Sequence, residues 1–234
     1  MNIIISIFIL TLVLFSIFTY SFVDINLSYL KILYTGLYLN NRLLLSTTYS
    51  ILVFVLFGCS FFLLANIDKL KLNLNKIILF VVLATVFAYP AVLSFDIFNY
   101  ITTARVTFVY QENPYIIYPI EFLNDPNLVF TRATNKTALY GPLWILLTGI
   151  PHFIGLGNFV LTLLSFKVFI ALFYTGTIYL IRKIDKNAVL FFVLNPLVII
   201  ESLVSSHNDI VMIFFALLLL YLFFQKKYVS SFLS

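Results

Sequence analysis

Charge is scarce in this sequence. Only 10% of its 234 residues are Asp, Glu, Lys or Arg, while 62% are hydrophobic. A soluble domain carries roughly 25% charged residues, and no soluble core of this length hides so much apolar surface. The chain therefore reads as an integral membrane protein whose solvent is lipid. Cysteine is nearly absent as well. Cys59 alone excludes an internal disulfide framework and a cysteine-cluster metal site; inside an apolar run it reads as a small buried hydrophobe. A basic face is also missing. The net charge is +5, but the basic residues sit in short loops, which excludes nucleic acid as a partner and makes them topology markers. No charged leader precedes the apolar run 3–23 and no small-residue cleavage site follows it. That run reads as a retained span, not a signal peptide. No internal repeat is visible.

What is present is a series of apolar runs. A span needs about 20 mostly apolar residues. Segments 3–23, 47–66, 77–94, 159–181, 188–204 and 210–225 qualify, which predicts an all-α, polytopic bundle of about six spans. A shorter run, 142–157, holds Pro142, Pro151, His152 and the lone Trp144. The short basic loops orient the chain: Lys69, Lys71 and Lys76, then Arg182, Lys183 and Lys186, then Lys226 and Lys227 belong on the cytoplasmic side. With those loops inside, 95–142 and 24–46 lie outside. The run 142–157 cannot cross and reads as an interfacial helix. The cluster His207-Asn208-Asp209 then falls on the same external face as the loop that opens at Asp96.

Ionisable groups in or beside a bilayer are costly and are functional candidates. Asp96 follows the run 77–94 directly. One reading is a helix cap. If 96–108 is helical, Asp96, Asn99, Tyr100 and Thr103 share a polar face, with Arg105 off it. Asn113-Pro114-Tyr115 is a turn sequence, and Pro142 after Tyr140-Gly141 suits the first position of a helix. In the span 188–204, Asn195-Pro196 predicts a kink. Glu201, Ser205 and Asn208 fall at i, i+4 and i+7 on one face, flanked by His207 and Asp209. A polar inter-helix turn is the plainer reading of 207–209. Lys167 lies too deep in 159–181 to snorkel, so it either pairs with an acid or faces an anionic ligand. His152 reads as a wetted interface residue. No metal-ligand spacing is present. Two sequons, Asn26-Leu27-Ser28 and Asn135-Lys136-Thr137, fall on the external side.

The order of Asp96, Tyr100, Arg105, Asn113-Pro114-Tyr115, Tyr140-Gly141-Pro142-Leu143, Asn195-Pro196-Leu197, Glu201 and His207-Asn208-Asp209 resembles the polyprenyl-phosphate-sugar-dependent glycosyltransferases of the C-type fold (GT-C). It is most similar to the bacterial alpha-mannosyltransferases of the MptA/MptB-like group. The resemblance covers roughly 90–225. It departs at Ala104, where the family often has Gly, and at Gln111-Glu112, where a Gly is expected. It implies a single domain over 1–234, the N-terminal part of a longer transferase, with 95–142 as its external loop. It implies transfer of a sugar, mannose first, from a polyprenyl-phosphate donor to a hydroxyl of a glycan or glycolipid acceptor. The reaction would lie on the outer face of the bacterial plasma membrane, in cell-envelope synthesis, with no resident cofactor. By that resemblance Asp96 is the catalytic base. Arg105 and Lys167 meet the donor phosphate, with Arg132 and Lys136 behind them. Tyr100, Asn113, Tyr115, Tyr118, Tyr140, Glu201, His207, Asn208 and Asp209 contact the sugars. The rival class is a transporter or flippase of a lipid-linked or polar substrate, which places ionisable groups at mid-membrane on broken helices and often shows internal repeats.

Overall fold

The computed structural model describes residues 2–27, 41–67 and 73–225. Lys69, Lys71 and residues 28–40, with Ser28 of the first sequon, lie outside the described residues, as does the tail from 226 with Lys226 and Lys227. The described residues are helical and contain no strand. In chain order the helices are α1 (Asn2–Thr19), α2 (Arg42–Ala65), α3 (Leu74–Thr85), α4 (Asp96–Phe108), α5 (Pro142–Ile154), α6 (Phe159–Ile184), α7 (Ala188–Val193), α8 (Pro196–Ile199) and α9 (Asp209–Phe224). A π-helical turn, Ile200–Val204, follows α8.

Three helical segments among the described residues are long and apolar enough to cross a bilayer: Ile3–Phe22, Arg42–Ala65 and Phe159–Ile184. A fourth crossing exists only if Pro196–Val204 and Asp209–Phe224, which meet at 112°, count as one bent span. The six-span expectation is therefore corrected at two places. The run 77–94 is helical only as far as Thr85, because Pro90 restrains Tyr89 and no helix passes through it. The run 188–204 is cut at Asn195-Pro196, where the Asn195 side chain accepts the Leu197 N–H at 3.0 Å and starts a new short helix. Hydropathy counts apolar residues and is blind to such breaks.

The broken stretch after α3 would leave polar backbone in an apolar layer, which is costly. The C-terminal end of α1 satisfies it. Ser16 donates to the Ala84 carbonyl and Tyr20 to the Phe87 carbonyl. Thr19 Oγ1 accepts the Tyr89 N–H at 2.7 Å. The Tyr89 hydroxyl in turn accepts the Asp24 N–H at 3.1 Å. Outward faces remain apolar and exposed, as at Ile17, Phe54, Phe61 and Leu172. In water that would be a liability; in lipid it is the ordinary condition of a span.

α4 lies inside this framework, packed on α5 and α6, and buries Ile97, Phe98, Ile101 and Ala104. α5 begins with Pro142 as predicted and ends at Ile154. It turns tightly into α6 through Gly155, where a methyl group would lie 2.0 Å from Thr162 Oγ1 and 2.7 Å from Thr162 Cα. Backbone cannot yield there as a long side chain would. Gly155→Ala is expected to cost about 1–3 kcal/mol by overpacking, read as a lowered melting temperature in detergent. An unchanged melting temperature would show that the α5–α6 corner is loose. His152 corrects its own reading: it is buried under the ring of Phe108 instead of standing wetted at an interface.

Candidate active site

Asp96 is the first residue of α4, where the helix dipole favours an acid. No side chain caps the helix at Phe95, and the Asp96 N–H donates to Ser94 Oγ at 3.1 Å. The carboxylate itself is not spent on a cap and points across to two other parts of the chain. Tyr140 donates to its Oδ1 at 3.4 Å, and His207 Nε2 lies 3.7 Å from its Oδ2. The Asp96 side chain keeps 40% of its surface exposed, so an incoming group reaches it.

His207 arrives from the other polar cluster. Its Nδ1 lies 3.1 Å from Glu201 Oε2 and 4.0 Å from Asp209 Oδ2. One imidazole thus sits among three carboxylates from two distant segments. Among the described residues, no group of three such side chains is arranged to hold a metal ion. The expected face of Glu201, Ser205 and Asn208 is not formed. The π-helical turn and the reversal after it change the register. Ser206 adopts φ 60°, uncommon for a residue with a side chain, and the His207 N–H donates to the Glu201 carbonyl at 3.0 Å. His207, not Ser205, therefore folds back onto Glu201, and Ser205 is buried.

Tyr100, one turn after Asp96, ties the two clusters together. Its hydroxyl donates to Asn208 Oδ1 and accepts the Asn208 N–H, both at 3.2 Å. Its ring meets Tyr140 and Trp144 edge-on at 4.7 and 5.0 Å. Burial raises the pKa of the Tyr100 hydroxyl; the Asn208 N–H opposes, and Tyr140, Asp96 and Asp209 add to the rise. Burial and then Asp96 likewise raise the Tyr140 hydroxyl, against a bond from Asn99. Both phenols stay protonated at neutral pH and act as neutral donors.

The two short turn motifs support Tyr140. Asn113 Oδ1 accepts the Tyr115 N–H at 3.0 Å, closing the Asn-Pro-Tyr turn. The Tyr115 hydroxyl donates to the Tyr140 carbonyl at 2.7 Å. Asn113 and Tyr115 thus act through Tyr140, with no polar contact to Asp96. Tyr118 keeps an exposed ring, and its backbone N–H donates to Glu121 Oε1 at 2.9 Å.

The expected phosphate cations are not gathered around Asp96. Arg105 lies nine residues on, about 13 Å along the helix at 1.5 Å per residue. Its Nε donates to Asp125 Oδ2, which also accepts from the Tyr110 hydroxyl at 2.9 Å. Asp125 escaped the sequence reading; the turn sequence Asp125-Pro126-Asn127 was the available signal. Lys167 meets no acid and is buried at the edge of a cavity of about 170 Å³. Its Nζ donates to the carbonyls of Leu203 and Val204 at 2.8 and 2.9 Å. Arg132 remains accessible: it is 61% exposed, stands 4.9 Å over the ring of Phe95, and reaches Asp24 only at 3.5 Å. Lys136 lines a small polar cleft with Asn99, Thr103 and Tyr140.

Arg132 lines one of two neighbouring cavities. One of about 150 Å³ is lined by Asp24, Phe95 and Arg132. The next, of about 340 Å³, is lined by Arg42, Leu45, Tyr49 and Leu93; both touch Phe22 and Val92. A further cavity, about 430 Å³, lies by Ile181 and Phe191. None of the residues that line it belongs to the cluster around Asp96.

A family model described as "Alpha-(1->6)-mannopyranosyltransferase, N-terminal domain" matches residues 11–234. Neither a curated protein nor a solved structure matches the chain.

Proposed function

We propose, from the premise that this chain belongs to the alpha-(1->6)-mannopyranosyltransferase family, that it is a GT-C-type membrane transferase. It moves mannose from a polyprenyl-phosphate donor to a hydroxyl of a glycan or glycolipid acceptor, at the outer face of a bacterial plasma membrane. The observation that carries this reading is the meeting of Asp96 with His207, whose Nε2 lies 3.7 Å from the Asp96 carboxylate while its Nδ1 lies 3.1 Å from Glu201. A site for acyl or phosphoryl chemistry would need a nucleophile–base pair or a phosphate cradle, and the cluster holds neither.

The chemistry needs one base. The acceptor hydroxyl gives its proton to Asp96 as its oxygen bonds to the anomeric carbon. The bond from that carbon to the phosphate oxygen breaks, and polyprenyl phosphate leaves with the electron pair. A phosphate is a good leaving group, so no dedicated general acid is required; positioned base catalysis supplies about 10²–10⁴-fold. Tyr140, kept neutral, donates beside Asp96 where a sugar would lie, and Tyr100, buried and bonded to Asn208, holds the two segments together. Arg132 is the cation best suited to the phosphate, because it is exposed and stacked over the residue before Asp96. This replaces Arg105 and Lys167, which are otherwise engaged. The cavity at Leu45, Tyr49 and Leu93 shares Phe22 and Val92 with the one that Arg132 lines, and its apolar wall suits an isoprenoid tail.

The test uses membranes holding the complete protein and polyprenyl-phosphate mannose labelled in the sugar. Label is expected in an extracellular acceptor, and none should come from a nucleotide sugar. Transfer from the nucleotide sugar alone, or movement of intact labelled lipid across the bilayer without transfer, rejects the proposal; the second outcome would mark a flippase.

A further inference from the structure

Lys167 is a buried ammonium that the proposed chemistry does not use. It is 4% exposed, on α6 and inside a candidate span. A buried charge is retained only where strong bonds offset its desolvation. Its bonds are unusual: both go to backbone carbonyls, Leu203 O at 2.8 Å and Val204 O at 2.9 Å. Those carbonyls close the π-helical turn. The Ser205 N–H bonds back to Ile200 and the His207 N–H to Glu201, so the last carbonyls of the turn have no helical partner. Left bare in an apolar layer they would be expensive. A helix C-terminus also favours a cation, and an ammonium offers three donors from one point.

The chain reverses immediately after these carbonyls. Ser205 and Ser206 are buried, Ser206 is held at φ 60°, and the next residue is His207, set between Glu201 and Asp96. We propose that Lys167 is the positioning residue of this site: it fastens the end of the broken helix so that His207 and Asn208 face Asp96 and Tyr100. Lys167 itself touches neither sugar nor phosphate. A misplacement of about 1 Å far from the chemistry lowers rates by about 10²-fold, which is the size of effect expected here.

For its activity arm this inference rests on the proposed transferase reading. A second arm does not. The test uses the complete protein in membranes with Cys59→Ser, so that the thiol introduced by Ser206→Cys is the sole one among residues 1–234 and reports on the reversal. With Lys167 present the thiol is buried and reacts slowly with a maleimide. Lys167→Met is expected to speed labelling about tenfold or more, as a local opening of the turn would. Without the reporter, it is expected to lower kcat by about 10²-fold with KM for the lipid donor little changed. Lys167→Arg, which keeps charge and donors, is expected to recover most of both. If Lys167→Met does not fold, Lys167→Gln against Lys167→Arg carries the same two comparisons. A raised KM with kcat unchanged overturns the proposal in favour of a direct phosphate contact. Unaltered labelling in a folded variant overturns it too. Absence of transfer in the unmodified protein sinks the transferase reading alone, and the labelling arm still decides the positioning role.

Discussion

Asp96→Asn in the complete protein is expected to lower sugar transfer by about 10²–10⁴-fold, the usual contribution of a positioned general base. The substitution changes charge and proton affinity but hardly volume. Asn retains an oxygen for the Tyr140 hydroxyl, which reaches Asp96 Oδ1 at 3.4 Å. The Asp96 N–H bond to Ser94 is a backbone contact and survives. No helix cap is lost, because the carboxylate makes none. The fold should stand while the proton acceptor disappears. The loss should appear in the rate at saturating donor, with little change in KM, because the carboxylate acts as the acceptor hydroxyl reacts and not as the donor lipid docks. Single-turnover transfer in membranes measures it. Transfer at an undiminished rate would remove Asp96 from the chemistry and leave its meeting with His207 a structural contact.

Asp125→Ala is expected to destabilise the protein by about 3–5 kcal/mol, the usual cost of breaking one side of a buried ion pair. The Arg105 side chain is 13% exposed and that of Asp125 2% exposed, so the guanidinium left behind has little water to turn to. Two further donors lose their acceptor: the Tyr110 hydroxyl at 2.9 Å and the Asn127 N–H at 2.8 Å. For a chain of this size that corresponds to roughly 6–20 °C in melting temperature. Thermal unfolding in detergent reads it. Removing both partners with apolar residues should recover most of the loss, because the cost lies in the unpaired charge. A melting temperature unchanged in the single variant would mean that Arg105 finds water or another partner. This result also separates Arg105 from the donor phosphate: its part is to clamp the loop onto α4.

Much of the framework was legible from composition. Long apolar runs require helices in lipid, because each backbone polar group must be satisfied within its own segment. The runs 3–23, 47–66 and 159–181 correspond to helices at 2–19, 42–65 and 159–184. The helix over 96–108 and the helix opening at Pro142 were readable from local signals, an acid in the first turn and a proline at the first position. The family resemblance was carried by short motifs in a fixed order, and the matched range 11–234 spans all of them.

Other features were hidden because they depend on groups far apart in the chain. Lys167 and Asp125 illustrate this. Nothing near Lys167 in sequence predicts that its partners are two carbonyls some 36 residues away. Arg105 looked available because its acid is 20 residues downstream and on another element. The breaks after Thr85 and at Asn195 were signalled by Pro90 and Pro196, yet a proline alone does not say whether a span kinks or stops. α1 decides the first case, with Ser16, Thr19 and Tyr20 taking up the freed backbone. Asn195 decides the second, where its side chain accepts the Leu197 N–H and starts a new helix.

The stretch from Asp96 to Pro142 therefore divides by cause. Its polarity, its helix over 96–108 and its position between apolar runs follow from residue order, because helix formation and membrane partition are local properties. That Asp96 faces His207, that His207 also meets Glu201, that Arg105 turns away to Asp125, and that Tyr140 is propped by Tyr115 were settled only by folding. Those contacts join residues up to 111 positions apart, and side-chain chemistry over such separations is decided by packing, not by neighbours in the chain.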